Sequence, residues 1–360
     1  MRKIIWLTTI CFSMLLWGCE EDALDNEITS TPGSVDKDGW SIPRNEVYDG
    51  GPGKDGIPAL NKPIFISAGD VTYMKDNDLV LGFVAGDEAR AYPHNILDWH
   101  EIVNDDIGDI NITITYCPLT GTGIGWNRKI NGSVTTFGVS GLLYNSNLLP
   151  YDRETGSNWS QIRMDCVNGS LIGTTIETLP MLETTWKTWK EMYPASKVLS
   201  TETGHNRSYG RYPYGSYRTS DEYLIFPVSH KDDRFGNKDR VHALVIEGSA
   251  RVYPLSGFGN GVSVIQEQVK GKNLVVVGSA GDNFVVSYLN DRGDGSAFSF
   301  TAVQDDYPVV MRDEEGNLWN ALGTVVSGPR KGMQLEHASS FMGYWFSFAA
   351  FYPELTIYGE

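Results

Sequence analysis

Ala89-Arg90-Ala91-Tyr92-Pro93 and Ala250-Arg251-Val252-Tyr253-Pro254 are two versions of one pentapeptide, and their spacing sets the reading of the whole chain. Two further pairs follow in the same order. Tyr151-Asp-Arg-Glu-Thr-Gly156-Ser-Asn-Trp159 is matched by Met311-Arg-Asp-Glu-Glu-Gly316-Asn-Leu-Trp319, and Trp189-Lys-Glu-Met-Tyr193-Pro194 by Phe348-Ala-Ala-Phe-Tyr352-Pro353. All three pairs are about 160 residues apart, and ordered self-similarity at a fixed spacing is the mark of a repeated structural unit. The pattern predicts a tandem duplication, with copy one running from about 78 to 200 and copy two from about 240 to 360.

Around these anchors, Leu79 to Val84, Ile110 to Tyr116, Val241 to Ile246 and Leu274 to Val277 are short runs rich in branched side chains and bounded by turn residues, so they read as strands. Helical patterning is sparse: Asn95 to Val103, Thr185 to Met192 and Ser340 to Phe351. The expected fold is therefore mainly β, an α+β arrangement with few short helices and two homologous halves related by pseudo-twofold symmetry. Asp49 to Pro58 is too rich in Gly and Pro for helix or central strand and reads as a shaped loop. His205 to Arg240, full of Tyr, Arg, Gly and Asp, reads as a surface excursion covering the join between the copies.

The first eighteen residues have the layout of a secretory signal, with Arg2 and Lys3 ahead of an apolar stretch from Ile4 to Trp17. Leu16-Trp17-Gly18-Cys19 resembles the lipobox of bacterial lipoproteins, which implies that Cys19 is acylated and anchors the protein in a membrane leaflet. Glu20-Glu21-Asp22 resembles a surface-export signal, so the expected address is the cell envelope, lipid-anchored at the outer membrane on its periplasmic or outer side. The domain reading is then 1–18 signal peptide, 19–39 lipidated acidic tether, 40–240 copy one with its N-terminal loop and Tyr/Arg-rich connecting segment, and 241–360 copy two. With 45 Asp+Glu against 29 Lys+Arg, the long-range field opposes nucleic acid as a partner, and the membrane is engaged through the lipid alone. Of four cysteines, only Cys117 and Cys166 remain in the mature body, as a disulfide, as two free thiols, or with Cys117 as ligand or nucleophile.

Residues kept by both copies are most simply owed to the shared fold; Arg90/Arg251, Tyr92/Tyr253 and Trp159/Trp319 are of this kind. Polar residues present in copy one alone have no such explanation, and they gather in His94-Asn-Ile-Leu-Asp98-Trp-His100-Glu101-Ile-Val-Asn104-Asp105 and Thr115-Tyr116-Cys117-Pro118. Together with Asp49 to Pro58, Gly138-Val-Ser140-Gly141-Leu-Leu-Tyr144-Asn145-Ser-Asn147, Tyr151-Asp152-Arg153 and Ser157-Asn-Trp159-Ser160-Gln161, this string resembles the bacterial family catalogued as domain of unknown function 3179. The resemblance covers roughly residues 45 to 260. It implies which residues matter to that family, and no particular reaction.

Three chemistries fit these residues. His100, Glu101 and Cys117 offer imidazole, carboxylate and thiolate, a donor set acceptable to zinc or copper, with Asn104 placed by helical spacing to orient His100. Cys117 is alternatively a nucleophile with His100 as its base, at the end of a strand where Pro118 and Gly121 leave backbone N–H groups free. Ser140, Tyr144, Asn145, Asn147, Asp152 and Gln161 form, on the third reading, a hydrogen-bonding pocket for a small polar ligand, a glycan or a peptide. Against all three stands a purely structural or interaction protein, with His100 bonded inside the fold and Cys117 a small buried hydrophobe. Gly138-Val-Ser140-Gly141 lacks the spacing of a nucleophile elbow, and Asp291-Arg-Gly-Asp294-Gly295 reads as a turn rather than a calcium loop.

Overall fold

The computed structural model describes residues 35–360, so the signal segment, Cys19 and the start of the tether lie outside the described residues. Within them the chain is mainly β with three short helices, α1 (His94–His100), α2 (Trp186–Met192) and α3 (Trp345–Phe351). No described helix is long and apolar enough to cross a membrane.

Three sheets of the first half have counterparts in the second. In one, strands are ordered Leu182–Thr185, Leu79–Ala85, Glu88–Pro93, Lys197–Leu199 and Phe65–Ser67; the other runs Ser340–Tyr344, Arg240–Ile246, Ser249–Pro254 and Thr356–Ile357. Each has an antiparallel central hairpin, and in each a helix, α2 or α3, carries the chain over to a short strand parallel to the hairpin's second arm. That crossover is what a parallel pairing demands. The meander Ile102–Ile107, Ile110–Cys117, Thr122–Asn127 corresponds to Ser263–Val269, Lys272–Ser279, Phe284–Leu289. The series Phe137–Tyr144, Asn147–Asp152, Asn158–Ser160, Asp165–Asn168 corresponds to Phe300–Ala302, Val309–Asp313, Leu318–Asn320, Val325–Ser327.

Residues of the matched sequence motifs tie these sheets together in the same way. Arg90 and Tyr92 both donate to Asp105 across to the meander, each at 2.6 Å; Arg251 and Tyr253 both donate to Glu267. Trp159 Nε1 donates to Asp152 and Trp319 Nε1 to Asp313, closing equivalent turns.

Two helix expectations need correction. The helix expected from Asn95 to Val103 begins at His94 and stops at His100, because Glu101 turns left-handed (φ 57°) and Ile102 starts a strand. Ser340 to Tyr344, expected as the start of a helix, is a strand, and α3 occupies only the remainder. The segment from 205 to 240 is also more than a surface excursion: Tyr217 is fully buried, and Tyr212, Tyr214, Phe226 and Phe235 pack on a core cluster containing residues of both halves.

Candidate functional site

Between Pro93 and Ile102 the first half inserts α1, where the second half has only the short turn Leu255–Gly257 after Pro254. The insertion decides where Glu101 goes. At the C-terminal cap of α1 its N–H still bonds Leu97 O at 2.8 Å, while its carbonyl accepts Tyr116 N–H at 2.7 Å, so both backbone groups are satisfied in a conformation non-glycine residues rarely adopt. Its side chain then lies in a pocket with a cavity of about 50 Å³, walled by Ile57, Leu119, Val139, Leu143 and Leu148 and sharing its polar surface with Cys117.

Two loops close this pocket. The glycine-rich segment after Asp49 supplies Gly50 and Pro52, and it is fixed by Gly50 N–H to Gly141 O at 2.7 Å and Asp55 N–H to Val139 O at 2.8 Å. A side chain at Gly141 would meet the Gly53 backbone at 2.8 Å, which explains a glycine (φ 81°) inside that strand. From the other side the connecting segment lays Tyr214 and Phe226 over the pocket, and Tyr214 Oη donates to Glu101 Oε1 over a long 3.4 Å.

Burial governs the chemistry here. Desolvation, with the nearby Asp98 charge adding to it, pushes the Glu101 carboxyl up to about 8, so near neutrality it is largely protonated. Burial and Glu101 likewise push the Cys117 thiol up to about 11. Its Sγ faces Ser146 O at 3.7 Å, and the Cys166 Sγ faces Asn168 O at 3.4 Å; both cysteines are free.

His100, expected beside Cys117, has both ring nitrogens committed elsewhere. Nδ1–H donates to Pro58 O at 2.7 Å, and Nε2 accepts from Tyr209 Oη at 2.7 Å, whose oxygen in turn accepts from Thr203. Burial holds its pKa down at about 4, so the ring is a neutral Nδ1–H tautomer. The proposed base for Cys117 is thus not presented to the thiol. Nor is the donor set His100, Glu101, Cys117 assembled: among the described residues no three His, Cys, Asp or Glu side chains are grouped to hold a metal ion. Asn104 does not orient His100 either, since it lies on a strand and its amide bridges Phe137 N, Phe137 O, Asn61 and Thr113.

The six residues expected to make a polar pocket are dispersed into the framework. Ser140 Oγ donates to Leu149 O and accepts Leu142 N–H at a bulge. Tyr144 packs edge-on against Phe351 at 5.4 Å. Asn145 bonds Ala350 O and Ser229 N. Asp152 accepts from Thr155 and Trp159 in the turn that Asp313 repeats. Only Asn147 and Gln161 meet, in a closed network with Thr115, Thr120 and Thr122. Asp291, in the suspected calcium loop, accepts the Gly293 and Gly295 amides of its own turn.

A second group of polar side chains was missed by the sequence reading except for His94 and Asp98. Arg240 pairs with Glu183, Arg218 pairs with Asp98 at 2.6 Å, and His94 Nε2 stands 3.5 Å from Glu183 Oε2. Glu183 sits beside Leu81 in its sheet; at the matching register the second half has Met342 beside His242. That one half is apolar where the other is charged is a signal the two sequences carried, once register is known.

Comparison with known proteins now bears on the whole span. The model of a protein family of unknown function, DUF3179, matches residues 54–355. The chain belongs to the DUF3179 family. The match runs about 95 residues beyond 260, where the resemblance read from sequence ended, so the DUF3179 unit includes both halves together with the segment that joins them. No curated protein and no solved structure matches.

Proposed function

We propose that this DUF3179 protein is an envelope lipoprotein, anchored at the outer membrane through acylated Cys19, whose first half binds a small uncharged ligand in the Glu101 pocket. The observation that carries the reading is Glu101 itself: a left-handed cap delivers one carboxyl into a largely apolar cavity, under two closing loops. A neutral carboxyl both donates and accepts, which suits a ligand with an amide or alcohol at the end of an apolar body. Tyr214 at 3.4 Å is a weak partner, so a ligand that hydrogen-bonds Glu101 recovers much of its burial cost. Apolar walls with a few placed polar groups are the usual make-up of small-molecule sites.

The duplication and its pseudo-twofold arrangement belong to the same proposal, supported by the matching order of the strands common to both halves and the repeated Arg-Tyr-carboxylate ties. The second half serves as the supporting partner: it has Ser279 where the first half has Cys117, and no counterpart to α1. A cysteine-dependent enzyme is disfavoured, because the thiol is held protonated and His100 is engaged elsewhere.

The test is ligand retention. Protein isolated from native membranes is expected to release a small molecule on denaturation, detected by mass spectrometry, with loss in Glu101→Leu and retention in Cys117→Ser. Retention in Glu101→Leu would remove the reading, and loss in Cys117→Ser would restore the enzyme. Palmitate labelling that disappears in Cys19→Ala tests the anchor.

A further inference from the structure

At the edge of the first half's meander, the short strand Leu60–Asn61 pairs parallel with Val103 and Asn104 of the strand Ile102–Ile107. The matching strand of the second half, Ser263–Val269, is the last strand of its sheet. Side chains fix the correspondence: Asn104 bonds both Phe137 N–H and Phe137 O, and Gln266 bonds both Phe300 N–H and Phe300 O. At the opposite edge the match is kept, since Thr178 pairs with Trp126 and His337 with Tyr288. One strand's place is therefore open in the second half, while its equivalent in the first is filled. Exposure agrees: Ile102 to Asp105 are all buried, whereas Ser263 to Val269 are all half-buried or exposed.

The hairpin decides which backbone groups face outward. Lys270 and Gly271, both with positive φ, make a two-residue turn, so Val269 and Lys272 exchange hydrogen bonds and outward positions alternate from there. Gln268, Gln266, Val264 and Val262 turn their N–H and C=O away from the neighbouring strand. Val262 is closed by Gln304, which accepts its N–H at 2.9 Å and donates to its carbonyl at 2.7 Å. Among the described residues nothing bonds the outward groups of the other three. Exposed edges are ordinarily blunted by proline, lysine, a bulge or shortness. Ser263–Val269 has seven residues in unbroken register, no proline and no lysine, and its one charge, Glu267, is taken up by Arg251 at 2.9 Å.

We propose that this edge is a dimer interface, on which the Ser263–Val269 strand of a second copy pairs antiparallel about a twofold axis at Gln266. The strand is complementary to itself in that register. Val264 faces Gln268 of the other copy and Gln266 faces Gln266, so the free outward N–H groups of each copy find the free carbonyls of the other. Glu267 faces Ile265, and like charges are not opposed. Lys270 of each copy stands opposite Val262 of the other, where Gln304 holds the exposed Asp305 and Asp306 close by, so a cation meets acids at both ends. The two meanders become one continuous sheet through the axis, an isologous contact. A strand of unrelated sequence would need its own match to these positions; a second copy brings the match with it. The contact is small, so a Kd of roughly 1–100 μM is expected, with dissociation before the fold melts.

Sedimentation equilibrium on the full chain, in a density-matched detergent with micelles in excess, is expected to show a reversible monomer–dimer equilibrium. Gln268→Pro removes one outward N–H from each strand at an exposed edge position that tolerates proline, so it is expected to melt close to the parent and to weaken the dimer about tenfold or more. Should it fold poorly, cysteines report the register instead. Copper phenanthroline is expected to link Gln266→Cys to itself across the axis, where opposed Cα atoms lie about 5.5 Å apart. Gln268→Cys is expected not to link, because its counterpart lies four residues along, about 13 Å away. A monomer at every concentration up to roughly 100 μM would overturn the proposal and leave the edge to a foreign strand. A dimer indifferent to a folded Gln268→Pro, or equal cross-linking at the two positions, would overturn it as well.

Discussion

Glu101 is the residue whose titration reports most directly on the site. A carboxyl whose folded-state pKa lies above its unfolded value is bound to a proton in the native chain when the unfolded chain has already lost it. Stability contributed by this group is therefore complete below 4.5, its ordinary value, and falls as pH rises toward about 8. Each pH unit in that window is worth about 1.4 kcal/mol before relaxation and water entry reduce it. Glu101→Gln, which cannot titrate, is expected to flatten the difference, so that parent and variant have similar urea midpoints near pH 5 and the variant is the more stable, by roughly 1–3 kcal/mol, near pH 8. Parallel stability curves across that range would mean that Glu101 is ionised and solvated in the native protein. Cys117 makes a second statement at this scale. With the thiol held up at about 11 by burial and Glu101, iodoacetamide is expected to label it slowly at neutral pH and no faster than Cys166, itself raised to about 11. Labelling of Cys117 many times faster than Cys166 would show a thiolate and reverse the reading of the pocket.

Among the elements, the turn that follows Asp152 shows how a shared residue acts. Asp152 accepts from Thr155 N–H, Thr155 Oγ1 and Trp159 Nε1 while fully buried, and Asp313 accepts from Asn317 and Trp319 in the matching turn. Asp152→Ala strands several donors at once and is expected to cost about 2–4 kcal/mol in denaturant unfolding, with Asp313→Ala close behind. An effect below about 0.5 kcal/mol for both, the level of an ordinary surface change, would sink the framework role. The matched motifs marked Trp159 and Trp319 as framework residues from sequence, but not Asp152, which the sequence reading placed in a ligand pocket and which the structure bonds to Trp159 instead. Strands were legible for the usual reason, branched side chains between turn residues. Ser340 to Tyr344 was not, since Phe341 and Met342 in a short apolar run suit a strand or the first turn of a helix equally, and sheet pairing with Arg240–Ile246 decides. Of the three residues that sequence grouped, Glu101 and Cys117 line one pocket, whereas the His100 ring is turned toward Pro58 and Tyr209 by the end of α1. Glu183, Arg218 and Arg240 were invisible because each comes from a different segment, and only tertiary closure brings them to His94 and Asp98.

For the whole molecule the question is whether two similar halves are two folding units. Their cores are shared rather than separate. Trp126, Phe137 and Trp159 of the first half lie in one cluster with Val241, Trp345 and Phe348 of the second, while Trp186 and Trp189 lie in another with Val275, Phe284 and Trp319. Polar ties cross in the same places: Tyr352 Oη donates to Ile162 O at 3.1 Å, and Thr184 Oγ1 to Asp282 O at 2.7 Å. A half expressed alone would expose several tryptophans at once, and buried apolar surface is the main favourable term in folding. Residues 40–200 and 241–360 produced separately are therefore expected to be insoluble or molten, and the full body is expected to melt in one calorimetric transition with equal calorimetric and van't Hoff enthalpies. Trp345→Ala provides the sharper form of the same argument. Its ring sits in the second half, but it packs with the first and bonds Asp232 O of the connecting segment at 2.8 Å. Removing it is expected to cost about 3–5 kcal/mol and to lower that single transition without splitting it. Two resolved transitions, with only the later-melting half affected, would mean that the halves are autonomous domains and that the interface between them, with the paired charges it holds, is dispensable to the fold.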